Sequence, residues 1–289
     1  MVFQNCCKIS LAIIVGISKT IEKSCAFIQT LDTYTNQSQM IEYSLDDFQW
    51  GKDPFYIRIK NNFFTKEQII LDLDNGLVDI QGNLKNSQYT KLETTCYAPT
   101  IMGPFHYLPF LECNHAIISL RHHITGSLKV NNQKFQIIGD GYIEKDWGRS
   151  FPQDYLWLQS NSCKEKEASL FLSIAKIPLL ACSFQGLIMN LLVDDQQIRV
   201  ATYYGARVKD MFTREGYHYL IISQHPHTFY LKIKAGHRFE LKSPQSGKMN
   251  GYVEESLNAL AVLLVYKKNK KVAKFNFINC GFELFGNWL

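Results

Sequence analysis

The segment "GDGYIEKDWGRSFPQDYLWLQSN", Gly139 to Asn161, crowds four acidic residues, a Lys, an Arg and two Trp between apolar runs. Side chains alternate along a strand, so "GYIEKDWGRS" read as one puts Tyr142, Glu144 and Asp146 on one face. Ile143, Lys145 and Trp147 take the other face. Two carboxylates two residues apart on one face repel when both are ionised. If that face looks into a barrel, burial and the neighbouring charge both raise a carboxyl's pKa. A carboxyl that keeps its proton in an apolar chamber is a general acid. The plainer alternative is a solvated turn, with Glu144 and Lys145 at the surface, Asp146 capping at Gly148 and Arg149 paired with a carboxylate. Structural ion pairs imitate sites often, and the segment alone favours that plainer reading.

A second cluster shifts the balance. "MGPFHYLPFLECNHAIISLRHHITG" carries Glu112, Asn114 and His115 just ahead of an apolar strand, with His122 and His123 inside it. Polar groups between "FHYLPFL" and "AIISL" need partners or a cavity. Alternation places Glu112 and Asn114 on one face and His115 on the other with Ile117 and Ser119. His122 and His123 are expected in solvent. No Gly-rich phosphate loop, GxSxG elbow or HExxH occurs, so nucleotide-driven chemistry, serine hydrolysis and zincin chemistry have no support. No Cys/His pairs stand at finger spacing, and neither a metal nor a cofactor is expected.

The elements that must hold these groups are strands. Short runs rich in Ile, Val, Tyr and Phe recur between Gly, Asn and Asp turn signals, as in "FYIRIK", "ASLFLSIA", "FQGLIMNLLV" and "TFYLKIKA". "QIILDLDNGLVDIQG" reads as a hairpin turning at Asn75-Gly76, and "GSLKVNNQKFQIIG" as another turning at Asn131-Asn132. The only helical candidate is "EESLNALA", from Glu254. A dozen or more short strands predict an all-β fold of sandwiches or barrels. The 289 residues divide best near Thr125 to Asn132, giving β domains over 1–130 and 131–289.

Composition excludes other classes. With 46% hydrophobic and 20% charged residues, a chain of this length has core enough without disulfides. The formal charge of +5 is scattered apart from "YKKNKK", read as a turn between strands, so nucleic acid is not an expected partner. The eight cysteines (Cys6, Cys7, Cys25, Cys96, Cys113, Cys163, Cys182 and Cys280) form no CxxC pair and read as small buried hydrophobes in a reducing, cytoplasmic setting. "LAIIVGI" falls far short of the ~20 residues of a membrane helix.

In the two clusters the sequence resembles the tocopherol cyclase family, in particular its bacterial members. The resemblance is carried by "MGPFHYLPFLECNHAIISLRHHITGSL" and "GYIEKDWGRSFPQDYLWLQSN", then in the family's order by "ATYYGA", "LKSPQSGKM" and "NCGFE", with "VGISK" and "CAFIQTLD" earlier. One element has no counterpart: members usually begin with a strand resembling "FEGWYFK", and its loss would leave an exposed sheet edge. The resemblance implies two tandem lipocalin-like antiparallel β domains, related to carotenoid hydratases. It also implies closure of a chromanol ring from a prenylated quinol, by protonation of an alkene and capture of the tertiary cation by the phenol oxygen. Carried over by position, Asp146 is the proton donor, tuned by Glu144 or Glu112. Asn114 and His115 orient the quinol oxygen or accept its proton, and Tyr142, Trp147, Tyr155 and Trp157 contact the substrate. The implied partner is a hydrophobic small molecule, a prenylated quinol or other isoprenoid, collected by peripheral contact with a membrane. A binding protein for such a ligand is the alternative.

Overall fold

The computed structural model describes residues 2–5, 9–20, 24–76, 78–109, 111–179 and 182–287. These residues form two antiparallel sheets. The first holds β1 (Val2–Asn5), β2 (Ser10–Lys19), β3 (Ser24–Asp32), β4 (Gln37–Tyr43), β5 (Phe48–Lys52) and β6 (Phe55–Ile59). It continues with β7 (Asn62–Thr65), β8 (Gln68–Asp74), β9 (Asp79–Thr90), β10 (Cys113–Val130) and β11 (Gln133–Gly148). Their order is β4-β3-β2-β1-β11-β10-β9-β8-β7-β6-β5. The second holds β12 (Tyr155–Ser160), β13 (Ser162–Cys163), β14 (Ala168–Leu179), β15 (Cys182–Val193), β16 (Gln196–Ala201) and β17 (Arg207–Arg214). It is completed by β18 (Tyr217–Gln224), β19 (His227–Lys234), β20 (Phe239–Gln245), β21 (Lys248–Lys267) and β22 (Lys270–Phe285). Here the order is β16-β15-β14-β12-β22-β21-β19-β18-β17, with β13 beside β22 and β20 beside β21.

Each sheet curls without its end strands joining in this order, so the pair is sandwich-like rather than two closed barrels. Curling follows from the cores. Val200 near one edge of the second sheet and Val208 at the other belong to the same apolar cluster, with Leu156, Leu158, Leu172 and Leu231 between them. The first sheet buries Leu11, Ile13, Ile28, Ile69, Ile80 and Ile124 in the same way. A third cluster lies between the sheets and draws on the opposite parity: Ala12, Leu31, Ile117 and Tyr142 meet Tyr155, Trp157, Phe171 and Phe239. Strands buried on both faces lose the clean apolar–polar alternation of a solvated sheet, which is why β3 is buried at eight of its nine positions. Gln29 ties the sheets by two bonds to the Lys242 backbone, donating to its carbonyl at 3.3 Å and accepting from its N–H at 3.1 Å.

Several sequence expectations hold. The all-β class is present, the Asn75-Gly76 turn joins β8 to β9, and "YKKNKK" turns between β21 and β22. Others are corrected. "EESLNALA" lies inside β21, because its helix formers pair with β22 and a helix there would break that ladder. A division at 130/131 would cut the β10–β11 hairpin; the chain passes between sheets at 149–154. The acidic segment therefore ends the first sheet rather than opening the second. Its edge is covered in part, since β1 pairs with Gly139 to Tyr142. His122 is fully buried, bonding Ser119 Oγ at 3.0 Å and stacking on Tyr89, while His123 is half-buried. Of the described cysteines Cys25 and Cys280 are buried, but Cys96 and Cys182 are exposed; Cys6 and Cys7 lie outside the described residues. No helix among the described residues is long and apolar enough to cross a membrane.

Candidate active site

The β10–β11 hairpin sets His115 directly opposite Asp146 and Ile117 opposite Glu144. The pairing reaches the hairpin's open end because Gly148, at φ +155°, lets the strands close up: a Cβ there would stand 2.0 Å from the Glu112 carbonyl oxygen. On the inward face, His115 Nδ1 lies 2.7 Å from Asp146 Oδ1, and Nε2 lies 3.6 Å from Glu144 Oε2. Tyr142 donates to Glu144 Oε2 at 2.7 Å, and Trp157 Nε1 donates to the same oxygen at 3.2 Å from the other sheet. The His115 ring is stacked on Phe171, with centroids 5.1 Å apart, so its orientation is fixed from both sides.

The facing wall is a cross-strand row. Glu255, Glu283, Trp157, Ser173 and Ile188 stand opposite one another across β21, β22, β12, β14 and β15. Tyr155 donates its hydroxyl to Glu283 Oε2. Gly281 leaves the indole of Trp157 its space, since a Cβ there would meet the ring at 2.7 Å. Between the walls is a pocket of about 150 Å³, lined by His115, Glu144, Asp146, Tyr155, Trp157 and Glu283. Its remaining lining is largely apolar and includes Met102, Phe105, Phe151, Ile177 and Phe184.

Charge in this enclosure is redistributed. Burial alone would push the His115 imidazole down, but Asp146 and Glu144 outweigh it and raise His115 to about 9. Burial pushes Glu283 up to about 7, with the Tyr155 hydroxyl pulling the other way and Glu144 and Asp146 adding to the rise. Burial also raises Glu144, offset in part by His115. Glu255 is held well above the carboxylate range by burial and by Glu283 across the strand pair. The site thus keeps protons on carboxyls at neutral pH while holding an imidazolium between two acids. Ligand atoms of His115, Glu144 and Asp146 fall within 4.8 Å of one another, a spacing that also suits a cation. The short Nδ1–Oδ1 bond already engages His115 with Asp146, however, and the cluster reads as a proton-sharing unit.

Of the residues singled out by sequence, the structure brings together His115, Glu144, Asp146, Tyr155 and Trp157, with Tyr142 just behind Glu144. It leaves out three. Glu112 is exposed, Asn114 donates to the Trp147 carbonyl at 3.4 Å, and Trp147 is 39% exposed, with Lys145 Nζ 5.2 Å from its ring. Glu112 and Asn114 have the opposite parity to His115, and Trp147 the opposite parity to Asp146, so side-chain alternation turns all three away. The pleated face does not look into a barrel; it looks at the other sheet. Sequence reasoning missed Glu255, Glu283 and Phe171. The signal for Glu283 was its place in "NCGFE", while Glu255 was hidden by the helical reading of "EESLNALA".

Comparisons with known proteins bear on the same region. Residues 89–176 match the family model described as tocopherol cyclase-like, a span holding His115, Glu144, Asp146, Tyr155, Trp157 and Phe171. A search of curated proteins finds no match. Among solved structures, CghA with Sch210972 is similar at 10% identity over 99% of this chain and 87% of that one, with a TM-score of 0.60. Kievitone hydratase from Nectria haematococca is similar at 12% identity over 99% and 87%, with a TM-score of 0.54. A protein named AttH from Nitrosomonas europaea is similar at 8% identity over 98% and 89%, also at 0.54. At these identities the likeness is one of fold.

Proposed function

We propose that this chain catalyses acid-initiated addition of a hydroxyl group to an alkene, closing a chromanol ring from a prenylated quinol. The observation that carries the proposal is the Glu144–His115–Asp146 cluster, aimed into an apolar pocket with indole and phenol rings on its walls. In this reading Asp146, the most open of the three at 32% side-chain exposure, delivers the proton it shares with His115. The alkene π electrons form the new C–H bond and leave a tertiary cation. The phenol oxygen closes on that cation and gives up its own proton, so the net change is an isomerisation. Trp157 and Tyr155 present faces that stabilise a cation by about 0.5–2 kcal/mol. The apolar lining keeps out water that would trap it.

Size limits what enters. A cavity of about 150 Å³ takes roughly one benzene-sized group. The reacting ring fills it, and the prenyl chain extends from it toward the opening, where Asp146 is the most exposed of the three. The family match over 89–176 and a fold relative named a hydratase are consistent with alkene protonation.

Asp146→Asn is expected to lower turnover of a prenylated quinol by at least about 100-fold while leaving ligand affinity within a few-fold. Unchanged turnover removes Asp146 from the mechanism. The apolar lining also suits a second reading, a carrier that binds an isoprenoid without changing it. Incubation with added quinol, followed by chromatography against authentic quinol and chromanol, separates the two, because these isomers share one mass and only an enzyme converts the first into the second.

A further inference from the structure

The β12–β22 wall contributes more than surface. Glu283 and Glu255 stand directly opposite on neighbouring strands; Glu255 is buried, and Glu283, half-buried, opens into the pocket. Two carboxyls forced side by side under an apolar interface are costly unless they share protons. A purely structural pair gains nothing from facing a cavity. The groups around Glu283 come from four further strands: Tyr155 on β12, Glu255 on β21, Glu144 and Asp146 on β11, and His115 and Cys113 on β10. All the cationic character of that set is on His115, and it is committed to Asp146.

From this arrangement we infer that Glu283 is the second proton group of the reaction, taking the proton of the attacking hydroxyl while the His115–Asp146 pair supplies the proton to the alkene. The inference rests on the proposed alkene chemistry. The donor and the acceptor then come from different sheets, and the substrate bridges them. As the C–O bond forms, the phenol O–H breaks and its proton passes to the Glu283 carboxylate; the electron pair of that bond remains on oxygen. Glu283 ends protonated and the His115–Asp146 pair one proton short. Exchange with solvent at the opening restores both, and no other reactant is required. Tyr155 is a positioning residue here, since its hydroxyl fixes the Glu283 oxygen and favours the ionised form.

The test is the pH profile of kcat/KM for a prenylated quinol, read alongside thermal stability. The wild-type profile should be bell-shaped, rising through about 7 as Glu283 ionises and falling through about 9 as the His115 pair loses its proton. Glu283→Gln should lower kcat by at least about 100-fold and abolish the rising limb, with the falling limb retained. Tyr155→Phe removes the hydrogen bond that holds Glu283 down, so its rising limb should move to higher pH with little change in KM. It is the second reading should the Gln variant not fold. A Gln variant with wild-type kcat and limb, or a Phe variant with no shift, overturns the inference and leaves the proposed function standing. Failure of the wild type to convert any prenylated quinol overturns both.

Discussion

His115 is the residue on which the pocket's charge turns, and its effect should be measurable without a substrate. Folding raises His115 from 6.5 to about 9, so the stability it contributes is fully present below pH 6.5 and is lost as pH rises through 9. Glu283 acts in the same sense, raised from 4.5 to about 7, with its contribution lost as pH rises through 7. His122 acts oppositely: burial lowers it from 6.5 to about 3, and its contribution is lost as pH falls through that range. The melting temperature is therefore expected to decline from pH 6.5 to 9, and His115→Gln should flatten much of that decline. An equally steep decline in the variant would remove His115 as its source. At this scale the sequence was informative wherever alternation alone decided. The shared face of Tyr142, Glu144 and Asp146, and the separation of His115 from Asn114, follow from a period of two. Glu255 was not legible, and Glu283 was marked only by its place in "NCGFE", because both reach the acidic segment through contacts across more than a hundred residues that no local pattern encodes.

The hairpin is the element that turns sequence into site. A Cβ at position 148 would run into backbone atoms of Glu112 and Cys113, which cannot move without opening the β10–β11 ladder. Gly148→Ala should therefore destabilise by roughly 1–3 kcal/mol and lower kcat more than it changes KM, since Asp146 is two residues away. Gly216→Ala is the control: φ is also positive, at +75°, but nothing lies within 4 Å, so only the conformational cost remains. Chemical denaturation of both variants reads the difference, and equal losses would show that the close approach at 148 is not what matters. Hairpin turns were legible from Asn75-Gly76 and Asn131-Asn132. The strand nature of "EESLNALA" was not, because Glu, Leu and Ala favour a helix and only pairing on both sides of β21 overrides them.

At the level of the whole molecule, the pocket depends on how the two sheets sit against each other. Gln29 is 2% exposed and uses both ends of its amide on the Lys242 backbone. Replacing it with Ala leaves that backbone unpaired and should cost about 1–3 kcal/mol. Heating Gln29→Ala should remove activity at temperatures where far-ultraviolet circular dichroism still reports intact strands. Simultaneous loss of activity and strands would mean that the sheets do not separate before they melt. Antiparallel sheet was legible from strand count and turn spacing; the point where the chain passes from one sheet to the other was not, because a two-residue turn within a sheet looks locally like a junction. The three cores carry a last consequence. Each sheet has packed its own inner side largely with Leu, Ile and Val. The pocket lined by His115, Glu144 and Glu283 lies instead on the other side, where the two sheets meet. Substitutions there can reshape the pocket while the two inner cores stay as they are, so this architecture lets the site drift without renegotiating the fold.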